Sequence, residues 1–122
     1  MAGSSGSLHE SEAVLKPATI DRHRAVVSIM EELEAIDWYD QRIDAAGDRE
    51  LKELLAHNRD EEKEHAAMML EWLRRHDPKL DEHLRTYLFT DKSLLEIEEE
   101  AEGKDDHSSN DDGSLRIGSL RS

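Results

Sequence analysis

Between Pro17 and Pro78 the chain has no proline and a single glycine, Gly47. A stretch of that length without helix breakers, rich in Ala, Leu, Glu and Arg, is dictated to be two helices that turn back on each other, an αα-hairpin of roughly 27 residues per arm. Pro17 or Thr19 can open the first helix, because proline fits a first turn and threonine can cap one. Asp48 can cap the second, and Glu50 adds negative charge to its first turn. His76-Asp77-Pro78 closes that helix, after which Leu80, Leu84, Tyr87 and Leu88 recur at helical spacing as a short third helix. No window alternates strictly with β-branched residues. The expected fold class is therefore all-α.

Such a hairpin has little with which to cover itself. Hydrophobic residues make up 36% of the 122 residues and charged residues 38%, so the core must be finished by a partner or part of the chain left unfolded. The net charge of −14 argues against nucleic acid, which needs clustered positive charge, and suits cations. With no cysteine, disulfides, thiolate zinc sites and Cys nucleophiles are excluded. No apolar run approaches the roughly 20 residues of a membrane span, nor does the N-terminus carry the apolar stretch of a secretory signal. A soluble, cytosolic chain without membrane contact is expected. Residues 1–12 read as a flexible arm, 13–90 as the helical domain, 91–112 as an acidic disordered linker and 113–122 as a distinct end. Residues 91–122 hold ten acidic and four basic residues, and after 96–112 the apolar residues return in GSLRIGSLRS.

The charges inside the hairpin are its most informative residues. Ile29, Leu33, Ile36 and Ile43 fall within one wedge of the first helix, with Glu32 and Tyr39 at its edge. In the second helix Leu51, Leu55, Ala66, Met69 and Leu73 define an apolar stripe with Glu62 at its centre, and His65 projects from the same face one turn later. A carboxylate in such a stripe must be paired, protonated or bound to metal. No Lys or Arg sits beside Glu62 on the stripe; Arg59, one turn back and about 60° off centre, is the nearest candidate, and the plain alternative is a hydrated interface where Glu62 simply meets Arg59. Glu32 and Glu62 each lie 15 residues from Gly47, so both sit about 22 Å from the turn and level with each other. Glu32, Glu62 and His65 thus converge between antiparallel helices. One Glu, with Glu-x-x-His from the next helix, is half the ligand set of the di-iron carboxylate four-helix bundles, and a two-fold dimer would supply the other half. Four glutamates then balance two divalent cations. Oxygen-rich ligation with one imidazole per ion suits iron or manganese better than structural zinc.

The segments MEELEAIDWYDQR (Met30–Arg42) and HNRDEEKEHAAMMLEWLRR (His57–Arg75) resemble the encapsulated ferritins, and the likeness covers roughly residues 14–90. The resemblance implies a ferroxidase that oxidises Fe(II) with dioxygen, with two irons per dimer, half-sites meeting across a dimer interface as a ferritin-like four-helix bundle, and five dimers forming an annular decamer. It carries the iron ligands onto Glu32, Glu62 and His65. Tyr39 matches a tyrosine that bonds to a centre ligand. Glu31 and Glu34 match a second, more exposed metal site that attracts iron, and Trp38 matches a residue lining the approach. Read without the resemblance, Glu31 and Glu34 point away from the Glu32 wedge, like a solvated face. Leu115 to Leu120 (LRIGSL) resembles the peptide that loads cargo into encapsulin shells, which implies an encapsulin nanocompartment in a bacterial or archaeal cytoplasm as the location. An extended segment with three spaced apolar anchors can dock in wall grooves while the linker gives the enzyme room. The competing expectation is non-enzymatic, a helical assembly whose interfacial metal is structural.

Overall fold

In the computed structural model, which describes residues 6–107, Pro17 occupies the first turn of helix α1 (Pro17–Ala45), and no side chain caps that end. Thr19 lies inside the helix rather than at its cap. Ahead of α1, Ser11 accepts a hydrogen bond from the Ala13 N–H and nucleates one 3-10 turn, Glu12–Val14. Helix α2 (Arg49–Arg75) starts as its sequence dictates, with the Asp48 carboxylate accepting the Leu51 N–H at 2.9 Å. Gly47 has no positive φ, and a Cβ placed on it would meet nothing within 4 Å. The turn is therefore made by where α1 stops and Asp48 restarts, and does not require glycine.

Helices α1 and α2 pack along a shared seam. Ala25, Ile29, Glu32, Ile36, Tyr39 and Ile43 of α1 are buried or half-buried, as are Leu55, Arg59, Glu62, Ala66, Met69 and Leu73 of α2. Both sets step by alternate threes and fours, the spacing of a coiled-coil seam. Two residues placed on these faces from the sequence lie outside the seam: Leu33 and Leu51 are exposed. At the open end, an Arg22 guanidinium nitrogen donates to the His76 carbonyl at 3.5 Å, tying the start of α1 to the end of α2. The His76 ring stacks on Trp72 with centroids 3.9 Å apart, and Glu71 accepts from both Arg74 and Arg75.

The chain divides after His76 into two units. In the second, Asp77 caps α3 (Pro78–Tyr87) by accepting the Leu80 N–H at 3.0 Å. Phe89, fully exposed, turns the chain with a φ of 62°. Beyond that turn the structure corrects the expectation of a disordered linker over 91–112: Leu94–His107 form helix α4. The reason is local. Ser93 and Glu96 have the S-x-x-E spacing of a capping box, and the Ser93 hydroxyl lies 3.5 Å from the Glu96 N–H it faces. Ile97 is buried, and Lys92 pairs with Glu100 at 3.0 Å. Residues 108–112 and the expected loading segment 113–122 lie outside the described residues.

Candidate metal centre

The seam that joins α1 to α2 carries Glu32 at one of its positions and Glu62 opposite, and the hairpin brings them together with His65. His65 Nδ1 lies 3.4 Å from Glu62 Oε1 and 3.7 Å from Glu32 Oε2. One ligand atom from each residue falls within 4.8 Å of the others, and this is the only such trio of His, Asp and Glu among the described residues. A cation about 2.1 Å from each donor separates neighbouring donors by about 3.0–3.4 Å, and the two His65 distances already lie close to that spacing.

The electrostatics favour a cation as well. Glu32 Oε2 is buried and has no hydrogen-bond partner. Burial raises the Glu32 pKa above the ordinary carboxylate value; the Glu62 carboxyl pushes it further in that direction, and His65 opposes both. An orphaned buried carboxylate oxygen costs about 1–3 kcal/mol or more, and a bound divalent ion removes that cost. The donor set of two carboxylates and one imidazole fits iron. Its exposure is uneven: the Glu32 side chain is 20% exposed and that of His65 47%, so the trio is closed on the seam side and open on the other.

Arg59 does not neutralise Glu62. Its guanidinium donates to Asp40 of α1 at 3.0 Å and to the neighbouring Asp60 at 3.1 Å, and these bonds raise its already high pKa. The sequence puts Arg59 off the stripe with Glu62 as its candidate partner; the structure instead half-buries it on the seam and pairs it with Asp40 of the other helix and with Asp60.

The remaining predicted site residues are not gathered into the trio. Tyr39 is half-buried on the seam, with the Arg42 guanidinium 5.5 Å above its ring, and its hydroxyl bonds to none of the three ligands within the single chain. Glu31 is exposed and Glu34 half-buried. Trp38 is 48% exposed and, with Gln41 and Arg42, lines a shallow groove of 370 Å³.

The family model described as EncFtn-like matches residues 7–91 of this chain. The chain is 60% identical over 129 aligned residues to an "Encapsulated ferritin-like protein" of Rhodospirillum rubrum, covering 99% of this chain and 92% of that protein. It is 51% identical over 109 residues to a "Ferritin-like protein" of Thermotoga maritima, covering 89% of this chain and 96% of the other. Among solved structures, the crystal structure of protein ne0167 from Nitrosomonas europaea superposes with a TM-score of 0.70 at 57% identity, covering 72% of this chain and 97% of that one.

Proposed function

This chain belongs to the EncFtn-like family of encapsulated ferritins and has an all-α ferritin-like fold, and from that premise we propose that it is a ferroxidase that binds Fe(II) at Glu32, Glu62 and His65 and oxidises it to Fe(III), with dioxygen taking the electrons. The observation that carries this reading is Glu32 Oε2, buried and without a hydrogen bond, beside the Glu62 carboxyl and the His65 ring. Iron is the substrate here, and each Fe(II) surrenders one electron.

Three donors leave an iron ion short of ligands, and the open side of the trio is where a second copy fits. Under two-fold symmetry that copy contributes its own Glu32, Glu62 and His65, giving four helices, four carboxylates and two imidazoles around two ions. Two divalent cations balance the four carboxylates. The second copy also has a surface to cover, since Leu33, Trp38 and Met68 are large apolar side chains left exposed on the hairpin. Ala25 is the sole buried apolar residue of that unit among the described residues, so the hairpin has too little core to stand alone. Assembly of five such dimers into an annular decamer belongs to the same proposal. Glu31, Glu34 and Trp38 line the iron approach, and Tyr39 bonds to a ligand once the interface forms.

An open ring has no cavity for the oxidised product. The word "encapsulated" in the name of the Rhodospirillum rubrum relative supports an enclosing compartment as the place of storage, and an encapsulin shell, reached through residues 113–122 as the docking segment, is part of the same proposal.

The test is an anaerobic Fe(II) titration of the metal-free protein, then admission of air with oxidised iron followed over time. Saturation near one iron per chain and many rapid turnovers are expected. Glu62→Ala should abolish both, lowering the oxidation rate to that of free Fe(II). Tight binding at the same ratio without oxidation above the uncatalysed rate would make the metal structural and remove the enzyme.

A further inference from the structure

A cation stands one helical turn from one of the proposed iron ligands, on the same face of α2. Arg59 is three residues before Glu62 on the same face of α2, a spacing at which an Arg and a Glu side chain readily pair. It lies on the half-buried seam, with its side chain 25% exposed, and Glu62 is similarly sheltered at 29%. An arginine in that position and a divalent ion compete for the same carboxylate. Yet Arg59 is turned away. Its Nη1 donates to Asp40 Oδ1 at 3.0 Å across the hairpin, and its Nε donates to Asp60 Oδ1 at 3.1 Å. Asp60 alone does not fix this orientation, because it is adjacent to Arg59 on the same helix and gives no hold across the seam. Asp40 is the one anchor on the opposite helix.

We infer that Asp40 is a positioning residue for metal binding: by holding the Arg59 guanidinium across the seam it keeps Glu62, and through it the Glu32–Glu62–His65 trio, free to take a cation. The inference rests on the metal-binding reading of the trio and adds to it a residue that touches neither iron nor dioxygen. Without Asp40, the released guanidinium swings one helical turn along α2 and pairs with Glu62. The charge of the trio is then partly spent on an internal partner, and a cation must displace it. Burial makes the pair with Glu62 stronger than an exposed one, so the expected loss in cation affinity is roughly three- to tenfold.

The prediction concerns coupling between two residues, which separates it from a general effect of charge. The full-length protein is titrated anaerobically with Co(II), a redox-silent probe, in four forms: wild type, Asp40→Ala, Arg59→Gln and the double variant. Far-UV circular dichroism checks that each is helical, and Asp40→Asn, which keeps the size of the side chain, replaces Asp40→Ala if helicity is lost. The expected result is a roughly three- to tenfold weaker affinity in Asp40→Ala, less than about a twofold change in Arg59→Gln, and recovery of most of the loss in the double variant. Unchanged affinity in Asp40→Ala overturns the inference. So does an equal effect of Arg59→Gln in both backgrounds, which would make Asp40 only a distant charge. A weakened double variant overturns it too, because the role of Asp40 would then be structural. Failure of the wild type to bind Co(II) is a different result: it removes the metal-binding reading itself.

Discussion

Two polar groups interrupt the seam between α1 and α2, and the contrast between them separates structure from chemistry in this chain. At Arg59 the charge is balanced from both sides, by Asp40 across the hairpin and by Asp60 beside it. One turn on, at Glu62, two carboxylates face each other with a single imidazole between, and one buried oxygen of Glu32 accepts no hydrogen bond, with the His65 ring 3.7 Å away. The first group can be satisfied by the chain alone. The second is assembled from the same kind of positions, yet folding leaves it unfinished. A hairpin optimised for stability would have apolar residues at both places, as it does at Ile29, Ile36, Met69 and Leu73. An unfinished group of like charges, held in position by an otherwise regular seam, is an arrangement that makes physical sense when a cation completes it.

The largest expected difference comes from removing each group in turn. Glu32→Gln keeps the shape of the side chain and deletes the uncompensated charge. The metal-free protein should become more stable by about 1 kcal/mol, while stabilisation by added Fe(II) or Co(II) should disappear. Arg59→Gln deletes a compensated charge and should lower stability only slightly, with metal stabilisation intact. Thermal unfolding with and without metal measures both. If Glu32→Gln destabilised the metal-free protein, the carboxylate would be a structural group and the contrast would collapse.

A smaller effect is expected from pH, and the two kinds of site should respond with opposite sign. The Glu32 pKa is raised, chiefly by burial, so the folded chain holds that proton more tightly than the unfolded one. Its contribution to stability is therefore greatest at low pH and declines as pH rises through the raised folded value. Glu71 behaves in reverse. Its bonds to Arg74 and then Arg75 lower its pKa from 4.5 to about 2, so its contribution is complete above 4.5 and is lost as pH falls toward 2. Relative to wild type, the metal-free Glu32→Gln variant should gain most near neutral pH and lose its advantage as the solution is acidified. Glu71→Gln should differ from wild type near neutral pH and converge with it in strong acid. Denaturant unfolding across that range would expose a wrong sign in either case.

The sequence carried the hairpin and the trio for the same reason, which is regularity. Absence of breakers from Pro17 to Gly47 and from Asp48 to His76 leaves helix as the only economical backbone, and the equal distances of Glu32 and Glu62 from Gly47 put them level once the arms run antiparallel. Features that depend on the rotation of one helix about its axis were harder to read. Leu33 and Leu51 share broad apolar faces with seam residues but lie at their margins, and the structure leaves both exposed. The partner of Arg59 is Asp40, a residue with no sequence signal beyond a charge on an adjacent arm. Helix α4 was hidden by a different effect. The acid-rich composition of 96–112 suggests disorder, but Ser93 and Glu96 were a legible start signal, and one apolar residue, Ile97, is enough to seat the first turn.

The smallest expected effect tests what holds the two carboxylates level. Sequence spacing makes Gly47 the natural origin for the register, since both carboxylates are counted from it. Structurally it does nothing that alanine could not, because its φ is not positive and a Cβ there meets open space. Gly47→Ala should therefore be neutral or stabilise the protein by about 0.4–1 kcal/mol through the unfolded state, with Co(II) affinity unchanged. The register is then set by the seam, where side chains from Ala25 to Ile43 and from Leu55 to Leu73 interlock, and the turn merely closes it. A Gly47→Ala variant that folds normally but binds Co(II) weakly would reverse that order of cause. The turn would then set the height of Glu32 against Glu62, and the trio would be a product of loop geometry rather than of helix packing.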